Sequence, residues 1–283
     1  MIQESYKDSE KGTLYIVPTP IGNKDDITLR AIEILKKVDF ICAEDTRTSS
    51  ILLNMFNISK PLKACHIFNE SKIKNKIVKE LEIGKNVALI SDQGTPLLSD
   101  PGYELVCEVI KNDLNVVSLP GPSALLPALN MSGIEANKFL FYGFLNSKTS
   151  VAKKELESLK SIEFTLVFYE APHRLQSTLK LMQEIFGNRK ISISREISKL
   201  HEEIFRGTVE DAIEFYKDPK GEIVIVVEKC KKESIDINDI LEEVKNETKK
   251  GLSNKDAVKL ISKKYGVSKN LLYNKNEEKR KWN

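Results

Sequence analysis

Apolar and polar positions follow a repeating order through the first 125 residues of the chain. Short apolar runs, each typical of a buried strand, are followed by stretches with apolar side chains at helical spacing. The runs lie at residues 13–17, 39–43, 87–90 and 115–119. A strand, a turn and an amphipathic helix that repeat in this way predict an α/β domain with a mostly parallel sheet. We expect this N-terminal domain to span residues 12–132, with Asp26 capping its first helix.

The pattern changes after residue 138. Alternating apolar runs in this part are typical of strands, and charged stretches with an apolar stripe are typical of helices. The strands are expected at residues 139–142, 164–169, 190–194, 203–206 and 222–228, and the helices at 148–160, 173–186 and 208–217. Strands and helices in this mixed order predict a second, α+β domain, which we expect at residues 138–230.

A basic helical extension is expected at the end of the chain, over residues 237–283. Two short apolar stripes around Tyr265–Ser268 resemble a helix-turn-helix, in which Gly266 would end one helix and Ser268 would cap the next. Residues 248–283 hold 11 Lys or Arg against 3 Asp or Glu, although the whole chain carries a net charge of only +3. This basic module favours contact with a phosphate backbone, and a solvated lysine-rich surface is the alternative.

Composition limits the class of protein further. Apolar residues make up 41% of the chain and charged residues 30%, as in ordinary soluble domains. The sequence has no run of about 18 to 20 apolar residues that would span a membrane, and residues 1–12 lack the apolar core of a signal peptide. The four cysteines are scattered singly, which predicts reduced thiols and no zinc site. We therefore expect a cytoplasmic protein that holds no metal.

Three turns rich in proline and glycine follow strands of the first domain. They are Pro18–Asn23, Ser91–Gly102 and Pro120–Ser123. Open α/β sheets bind small ligands in the crevice at the carboxyl ends of their strands, where such turns lie. Gly94 and Gly221 permit a close approach of backbone to ligand, and tight turns are the alternative for both. The repetition of the feature favours one shared binding crevice.

Polar side chains also follow two of the predicted strands. Glu44–Arg47 comes directly after the second strand, and Glu170–Arg174 comes after a strand of the second domain. The first of these segments, Glu44–Arg47, places two acids, a hydroxyl and an arginine at a strand end, and it forms a candidate polar site. Asp45 would alternatively act only as the cap of a helix over residues 46–57.

Six motifs occur in the order found in one known family. They are Leu14–Asn23, Ala43–Arg47, Ser91–Pro96 with Ser99–Gly102, Leu119–Ser123, Phe168–Arg174 and Gly221–Glu222. Over residues 12–280 the chain resembles the ribosomal RNA small subunit methyltransferase I family, a branch of the tetrapyrrole methylase superfamily. The resemblance implies two α/β domains with S-adenosylmethionine bound between them. It also implies methyl transfer to the ribose 2′-hydroxyl of a cytidine in the decoding centre of 16S ribosomal RNA, and a homodimer.

On this resemblance, residues of the motifs receive expected roles. Assistance to the ribose hydroxyl or positioning of RNA is expected from Glu44, Asp45, Arg47, Glu170 and His173, with Arg174 beside them. Cofactor contacts are expected from Pro18, Thr19, Pro20, Gly22, Asp92, Gly94, Thr95, Pro96, Pro120, Ser123, Tyr169, Ala171 and Gly221. The sequence does not rank the polar residues as a base, and it does not distinguish naked RNA from the assembled small subunit as the substrate.

Two positions depart from the family pattern. Gln93 stands where alanine is expected, which is harmless if this side chain faces away from the ligand, and Phe68 replaces a second histidine at residues 66–70. Two other functions are alternatives: a methylase of precorrin-like rings or other small molecules, and a nucleic-acid-binding regulator that only senses S-adenosylmethionine. The basic tail argues against small substrates, because they give no use to a phosphate-binding module.

Overall fold

Two five-stranded sheets organise the larger part of the chain. The computed structural model describes residues 3–4, 10–230, 237–265 and 267–273. Met1–Cys230 forms one unit, which contains both sheets, and Lys231–Asn283 forms a second unit. The α/β class, with a parallel first sheet and a mixed second sheet, is confirmed. The domain boundary near residues 132–138 stays a prediction.

The first sheet is parallel throughout, in the order β3-β2-β4-β1-β5. Its strands are β1 (Thr13–Ile16), β2 (Phe40–Ala43), β3 (Leu62–Ala64), β4 (Val87–Ile90) and β5 (Asn115–Ser118). The helices that connect and follow them are α1 (Leu29–Lys37), α2 (Thr46–Met55), α3 (Glu70–Glu82), α4 (Tyr103–Lys111) and α5 (Leu125–Ser132). Because the strands are parallel, the loops that leave their carboxyl ends lie along one edge of the sheet.

Strand β4 shows why this sheet forms. All four of its residues are buried, and successive side chains enter two different cores. Leu89 packs with α3 and α4 residues on one face, whereas Ile90 packs with Ala31 and Leu35 of α1 on the other. Burial of each large apolar side chain contributes roughly 1.5–3 kcal/mol, so a continuous apolar run is favoured in a strand covered on both faces.

The cap of α1 differs from the sequence prediction. Asp26 lies in a short 3-10 turn over Lys24–Asp26, and Thr28 is the residue that caps the helix. The Thr28 hydroxyl accepts a hydrogen bond from the Ala31 amide at 3.0 Å. Aspartate and threonine are both favoured at this position, so the local sequence alone did not separate them.

The second sheet is mixed, in the order β6-β7-β10-β8-β9. Its strands are β6 (Phe139–Phe144), β7 (Thr165–Glu170), β8 (Lys190–Arg195), β9 (Glu203–Thr208) and β10 (Ile223–Val227), and its helices are α6 (Thr149–Leu159), α7 (Leu175–Phe186) and α8 (Val209–Phe215). Strands β6 and β7 pair in parallel, and the other neighbours are antiparallel. Ile225 faces α6–α8, whereas Val224 packs with Leu125 of α5 and Ile21, so a shared core joins this sheet to the first.

The described residues of the second unit are mostly helical. Helices α9 (Ile237–Lys249) and α10 (Asn254–Tyr265) pack through a small apolar core, and a further helical stretch covers residues 269–273. Gly266, which was predicted to end a helix, lies outside the described residues. Lysines recur every four residues along the exposed side of α10, and we call Lys255, Lys259 and Lys263 the α10 lysine stripe. In the described part of the chain, no helix has both the length and the apolar character needed to cross a bilayer.

Candidate functional site

A cavity of about 390 Å³ opens where the carboxyl-end loops of the first sheet meet the second sheet. The first sheet supplies Ile21 from the loop after β1, residues 93–95 and 98–100 from the loop after β4, and Ser123 from the loop after β5. The second sheet supplies the ends of β6 and β7 and the start of β10. Sites for small molecules typically measure about 300–1,000 Å³ and have mostly apolar walls. The cavity therefore has the size and position of a ligand site.

Backbone pairing between two loops shapes one wall of the cavity. The Thr19 amide donates to the Gly94 carbonyl at 2.8 Å, and the Gly94 amide donates to the Thr19 carbonyl at 2.9 Å. Gly94 has a φ of +75°, and a Cβ built on it would lie 3.2 Å from Cγ2 of Ile21. This left-handed conformation favours glycine because other residues are strained there. The Thr95 hydroxyl donates to the Pro122 carbonyl at 2.9 Å and so connects the loop after β4 to the loop after β5.

The predicted cofactor residues divide into two groups. Those that line the cavity are Gly94, Thr95, Ser123, Tyr169, Ala171 and Gly221. Those that lie outside its wall are Pro18, Thr19, Pro20, Gly22, Asp92, Pro96 and Pro120. Thr19 is fully buried and donates its hydroxyl to the Ser91 carbonyl at 3.2 Å, so it braces a loop of the site. The role of each residue as a cofactor contact stays a prediction.

Three of the predicted residues outside the wall, Pro18, Gly22 and Asp92, contact neighbouring loops or side chains of the site. A Cβ on Gly121 would lie 2.7 Å from Cβ of Pro18, so these two backbones require a close approach. A Cβ on Gly22 would lie 2.4 Å from Cγ of Lys199. The Asp92 carboxylate accepts a hydrogen bond from the Asp45 amide at 3.1 Å, which fixes the loop after β2 to the loop after β4.

Gly221 lines the cavity and also leaves room for the neighbouring carboxylate of Glu196. Its φ is +87°, and a Cβ there would lie 2.5 Å from Cδ of Glu196. The Glu196 carboxylate accepts hydrogen bonds from the Glu222 amide and from the Lys199 ammonium, both at 2.9 Å. Gly221 therefore forms a tight turn and also places its backbone in the wall of the cavity.

Aromatic side chains form the part of the wall that comes from the second sheet. The Tyr169 ring packs edge-on against Phe141 at 4.8 Å and against Phe144 at 5.6 Å between ring centroids. Burial raises the pKa of the Tyr169 hydroxyl, and its hydrogen bonds with Ser123 and the Leu125 amide oppose this change. Phe144 lines the cavity and stays half-exposed. This wall offers an apolar, aromatic surface to a planar ligand.

An acidic residue that sequence reasoning did not select lies in the cavity wall. Burial raises the pKa of Asp100 to about 6, with Glu44 and Asp92 adding to the increase and a hydrogen bond with Ser91 opposing it. The pKa of Glu44 is also raised, first by burial and then by Asp92. The signal in the sequence was the position of Asp100 within the Ser99–Gly102 motif, but one of its acidic neighbours, Glu44, follows a different strand.

Gln93 also lines the cavity, with an exposed side chain. The expectation that this departure from alanine is harmless stays a prediction. A longer polar side chain at this position adds an amide to the mouth of the cavity.

Asp45 and Arg47 form a local cap and ion pair outside the cavity wall. The Asp45 carboxylate accepts hydrogen bonds from the Arg47 amide at 2.8 Å and from its guanidinium at 2.7 and 3.1 Å. These contacts lower the pKa of Asp45 to about 2. Asp45 is the cap of α2, as the alternative interpretation held, and the Arg47 side chain is 89% exposed.

Glu170 lines the cavity, but its carboxylate is engaged by the protein. It accepts hydrogen bonds from the Thr178 hydroxyl at 2.5 Å and the Ala171 amide at 2.8 Å, and Nε of Arg174 lies 3.4 Å away. The Glu170 side chain is only 1% exposed. His173 is exposed and lies outside the wall. Among the described residues, no group of His, Cys, Asp and Glu is arranged to hold a metal ion.

Comparisons with known proteins agree with this architecture. Residues 13–213 match the family model described as Tetrapyrrole (Corrin/Porphyrin) Methylases. The chain is 43% identical over 274 residues to the ribosomal RNA small subunit methyltransferase I of Bacillus subtilis, with 94% of each chain covered. It is 43% identical over 274 residues to the protein of the same name from Haemophilus influenzae, with 93% of this chain and 95% of the relative covered.

Solved structures show the same fold at low identity. The methyltransferase CobJ aligns with a TM-score of 0.58 and 17% identity, covering 77% of this chain and 94% of its own. The uroporphyrin-III-C-methyltransferase of Thermus thermophilus aligns with a TM-score of 0.56 and 18% identity, covering 76% of this chain and 94% of its own. The resemblance inferred from the motifs is confirmed, and the chain belongs to the ribosomal RNA small subunit methyltransferase I family of the tetrapyrrole methylases.

Proposed function

We propose that the protein transfers a methyl group from S-adenosylmethionine to the ribose 2′-hydroxyl of a cytidine in 16S ribosomal RNA. The observation that carries the proposal is the extent of the similarity to the Bacillus subtilis protein named for this subunit, which covers 94% of the chain. The similarity therefore includes most of the basic helical unit. The alignment with the uroporphyrin methyltransferase covers 76%. A basic unit beyond the methylase fold favours a polyanionic substrate.

The cavity has features that suit S-adenosylmethionine. Tyr169 and Phe144 provide an aromatic wall for the adenine, and backbone at Gly94 and Gly221 lies open to polar groups of the ligand. The Asp100 carboxylate is available to a cation. When bound, the cofactor supplies a methyl group on a positively charged sulfur, which is already activated for displacement.

Rigid loops are the protein's main contribution to catalysis on this proposal. Holding two reactants in line supplies on the order of 7 to 11 kcal/mol of the rate enhancement. The pairing of Thr19 with Gly94 and the bond from Thr95 to Pro122 fix the loops after β1, β4 and β5 against one another. The chain therefore acts chiefly by orienting the ribose against the methyl donor.

The predicted polar residues divide by how fully the protein already engages them. The carboxylates of Asp45 and Glu170 are saturated by donors, which favours structural roles for both. Glu44 accepts a backbone hydrogen bond from Asp92 and forms no ion pair within the described residues. A carboxylate with a raised pKa is better suited to accept a proton near neutral pH. We therefore assign to Glu44 the orientation or deprotonation of the ribose hydroxyl.

RNA binding is assigned to exposed cations. Arg47 presents most of its guanidinium to solvent beside the loops of the site, and the α10 lysine stripe has no ion-pair partner within the described residues. Phosphate contacts of this kind release counterions and supply affinity that does not depend on sequence. The family resemblance also supports a homodimer, in which two basic units would contact one extended RNA.

Transfer of a labelled methyl group tests the proposal. The protein is incubated with methyl-labelled S-adenosylmethionine and, in separate reactions, with unmethylated small ribosomal subunits, naked 16S RNA and a tetrapyrrole. We expect label in the RNA of the first or second reaction. Label in the tetrapyrrole alone would show a small-molecule methylase, and cofactor binding without transfer to any acceptor would show a sensing protein.

A further inference from the structure

Asp100 is a carboxylate of the cavity wall that has no partner cation among the described residues. It follows β4 in a loop where Leu97 and Ser99 both have a φ of +73°, a conformation that is costly for residues with side chains. In the part of the chain that the structure describes, no ion pair joins Asp100 to a lysine or an arginine. The loop thus holds an uncompensated acid against the ligand space.

The charged groups around the cavity leave this acid uncompensated. Glu44 from the loop after β2 and Asp92 from the loop after β4 both repel an ionised Asp100, and Tyr169 of β7 is close enough to interact with it. Two cations that contact residues of the cavity wall are engaged by carboxylates other than Asp100. Lys199 lies 2.9 Å from Glu196 and 3.2 Å from Glu222, and Arg174 lies 3.4 Å from Glu170.

A ligand that brings a positive charge into this cavity would supply the missing partner. S-adenosylmethionine and the product left after transfer share the adenosine, the amino group and the carboxylate. They differ at sulfur, which is a positively charged sulfonium in the methyl donor and an uncharged thioether in the product. An unpaired carboxylate that lies near the sulfur of the bound ligand stabilises the sulfonium and not the thioether, whereas its attraction to the shared amino group is the same for both ligands.

We propose that Asp100 is the residue of the cavity wall that favours the methyl donor, with its positively charged sulfur, over the product, whose sulfur is uncharged. The inference rests on the proposed use of S-adenosylmethionine, and it adds a specificity-determining role for a residue that sequence reasoning did not select. Discrimination at this residue limits product inhibition, because the product loses a favourable interaction when the methyl group leaves.

The discrimination depends on pH with a defined sign. The pKa of Asp100 is about 6 without ligand, and the carboxylate attracts a cation only when it is ionised. The preference for the methyl donor is therefore present above pH 6 and is lost as the pH falls through this value. By linkage, a bound cation lowers the pKa of Asp100, so binding of the methyl donor near this pH releases protons.

Calorimetric titration with both ligands tests the inference on the full-length protein. The quantity measured is the ratio of the product's dissociation constant to that of S-adenosylmethionine, at about pH 8 where Asp100 is ionised. Asp100→Asn keeps the size of the side chain and removes its charge. We expect the ratio to fall about tenfold, because a nearby opposite charge shifts an equilibrium by one or more powers of ten.

Glu222→Gln is the matched control. It removes a charge from the same wall, but the Glu222 side chain is 61% exposed and forms an ion pair with Lys199. We expect this control to change the ratio by less than about twofold, because exposed charges are well screened. An equal change in the ratio for both variants, or no change for Asp100→Asn, would overturn the inference.

Wild-type protein provides a second readout that needs no variant. Titrations near pH 6 in buffers of different ionisation enthalpy measure the protons released on binding. We expect about 0.4 proton more for S-adenosylmethionine than for the product, as follows from a shift of one pKa unit or more. Equal release for both ligands would contradict the role of Asp100. A wild-type protein that binds neither ligand would refute the proposed function itself.

Discussion

Replacement of Glu170 separates a structural carboxylate from a catalytic one. Glu170→Ala removes the acceptor used by the Thr178 hydroxyl and the Ala171 amide, and it removes the ion-pair partner of Arg174 at a buried position. Removing one partner of a buried charged pair costs about 3–5 kcal/mol. For a unit of this size the melting temperature should therefore fall by roughly 6–20 °C.

Urea and thermal unfolding, followed by circular dichroism, measure this loss. Glu170→Gln is the informative companion, because it keeps the shape and one acceptor oxygen but loses the charge that pairs with Arg174. We expect it to lose about 1–2 kcal/mol of unfolding free energy, less than alanine, and to retain most of its methyl transfer. Glu222→Gln, at an exposed carboxylate of the same wall, should change stability by less than about 1 kcal/mol.

A variant that keeps its stability and loses its activity would contradict a structural role for Glu170. A general base contributes about 10²- to 10⁴-fold to rate. If Glu170→Gln were as stable as the wild-type protein and yet lost transfer by such a factor, Glu170 would be the base and the three donors would only orient it. Single-turnover rates at saturating RNA make this comparison independent of binding.

Further predictions concern the loops and the cationic surfaces. Gly94→Val should weaken S-adenosylmethionine binding at least about tenfold while the circular dichroism spectrum is retained, because a β-branched residue is strained at a φ of +75° and contacts Ile21; undiminished affinity would remove this loop from the site. Asp45→Asn should change the transfer rate by less than about threefold, since asparagine caps a helix as well as aspartate, and a large loss would assign catalysis to Asp45. Arg47→Ala should weaken RNA binding more than it slows transfer at saturating RNA, and the reverse would place Arg47 at the reacting atoms. Substituting the α10 lysine stripe with glutamine should make the slope of log affinity against log salt shallower by about 2 to 3, as expected for three lost phosphate contacts, and an unchanged slope would show a solvated face.

The sequence predicted secondary structure best where the pattern within a single strand or helix is sufficient. Strand β4 is an apolar run bounded by polar and glycine positions. Its predicted residues 87–90 match the observed Val87–Ile90. Helix α2 was expected over residues 46–57 and occupies Thr46–Met55. Burial of a short apolar run is a local signal, so it is visible without knowledge of the neighbouring strands.

The sequence was least informative where side chains from distant elements meet. Thr19 and Gly94 pair through their backbones across two loops, so Thr19 supports the loop in a way that its predicted role as a cofactor contact did not include. The pKa of Asp100 depends on burial and on Glu44 and Asp92 from two strand ends. Neither effect has a signature in local spacing, because both arise only when the parallel sheet brings the loops together.

The identity of the methylated nucleoside decides whether the protein modifies the ribose of a cytidine. Small ribosomal subunits or 16S RNA lacking the modification are treated with the protein and S-adenosylmethionine, digested completely to nucleosides, and analysed by mass spectrometry against untreated RNA. The account predicts a gain of 2′-O-methylcytidine that is absent when the cofactor is omitted. A methyl group found on a base, on another nucleoside, or nowhere in the RNA would contradict it.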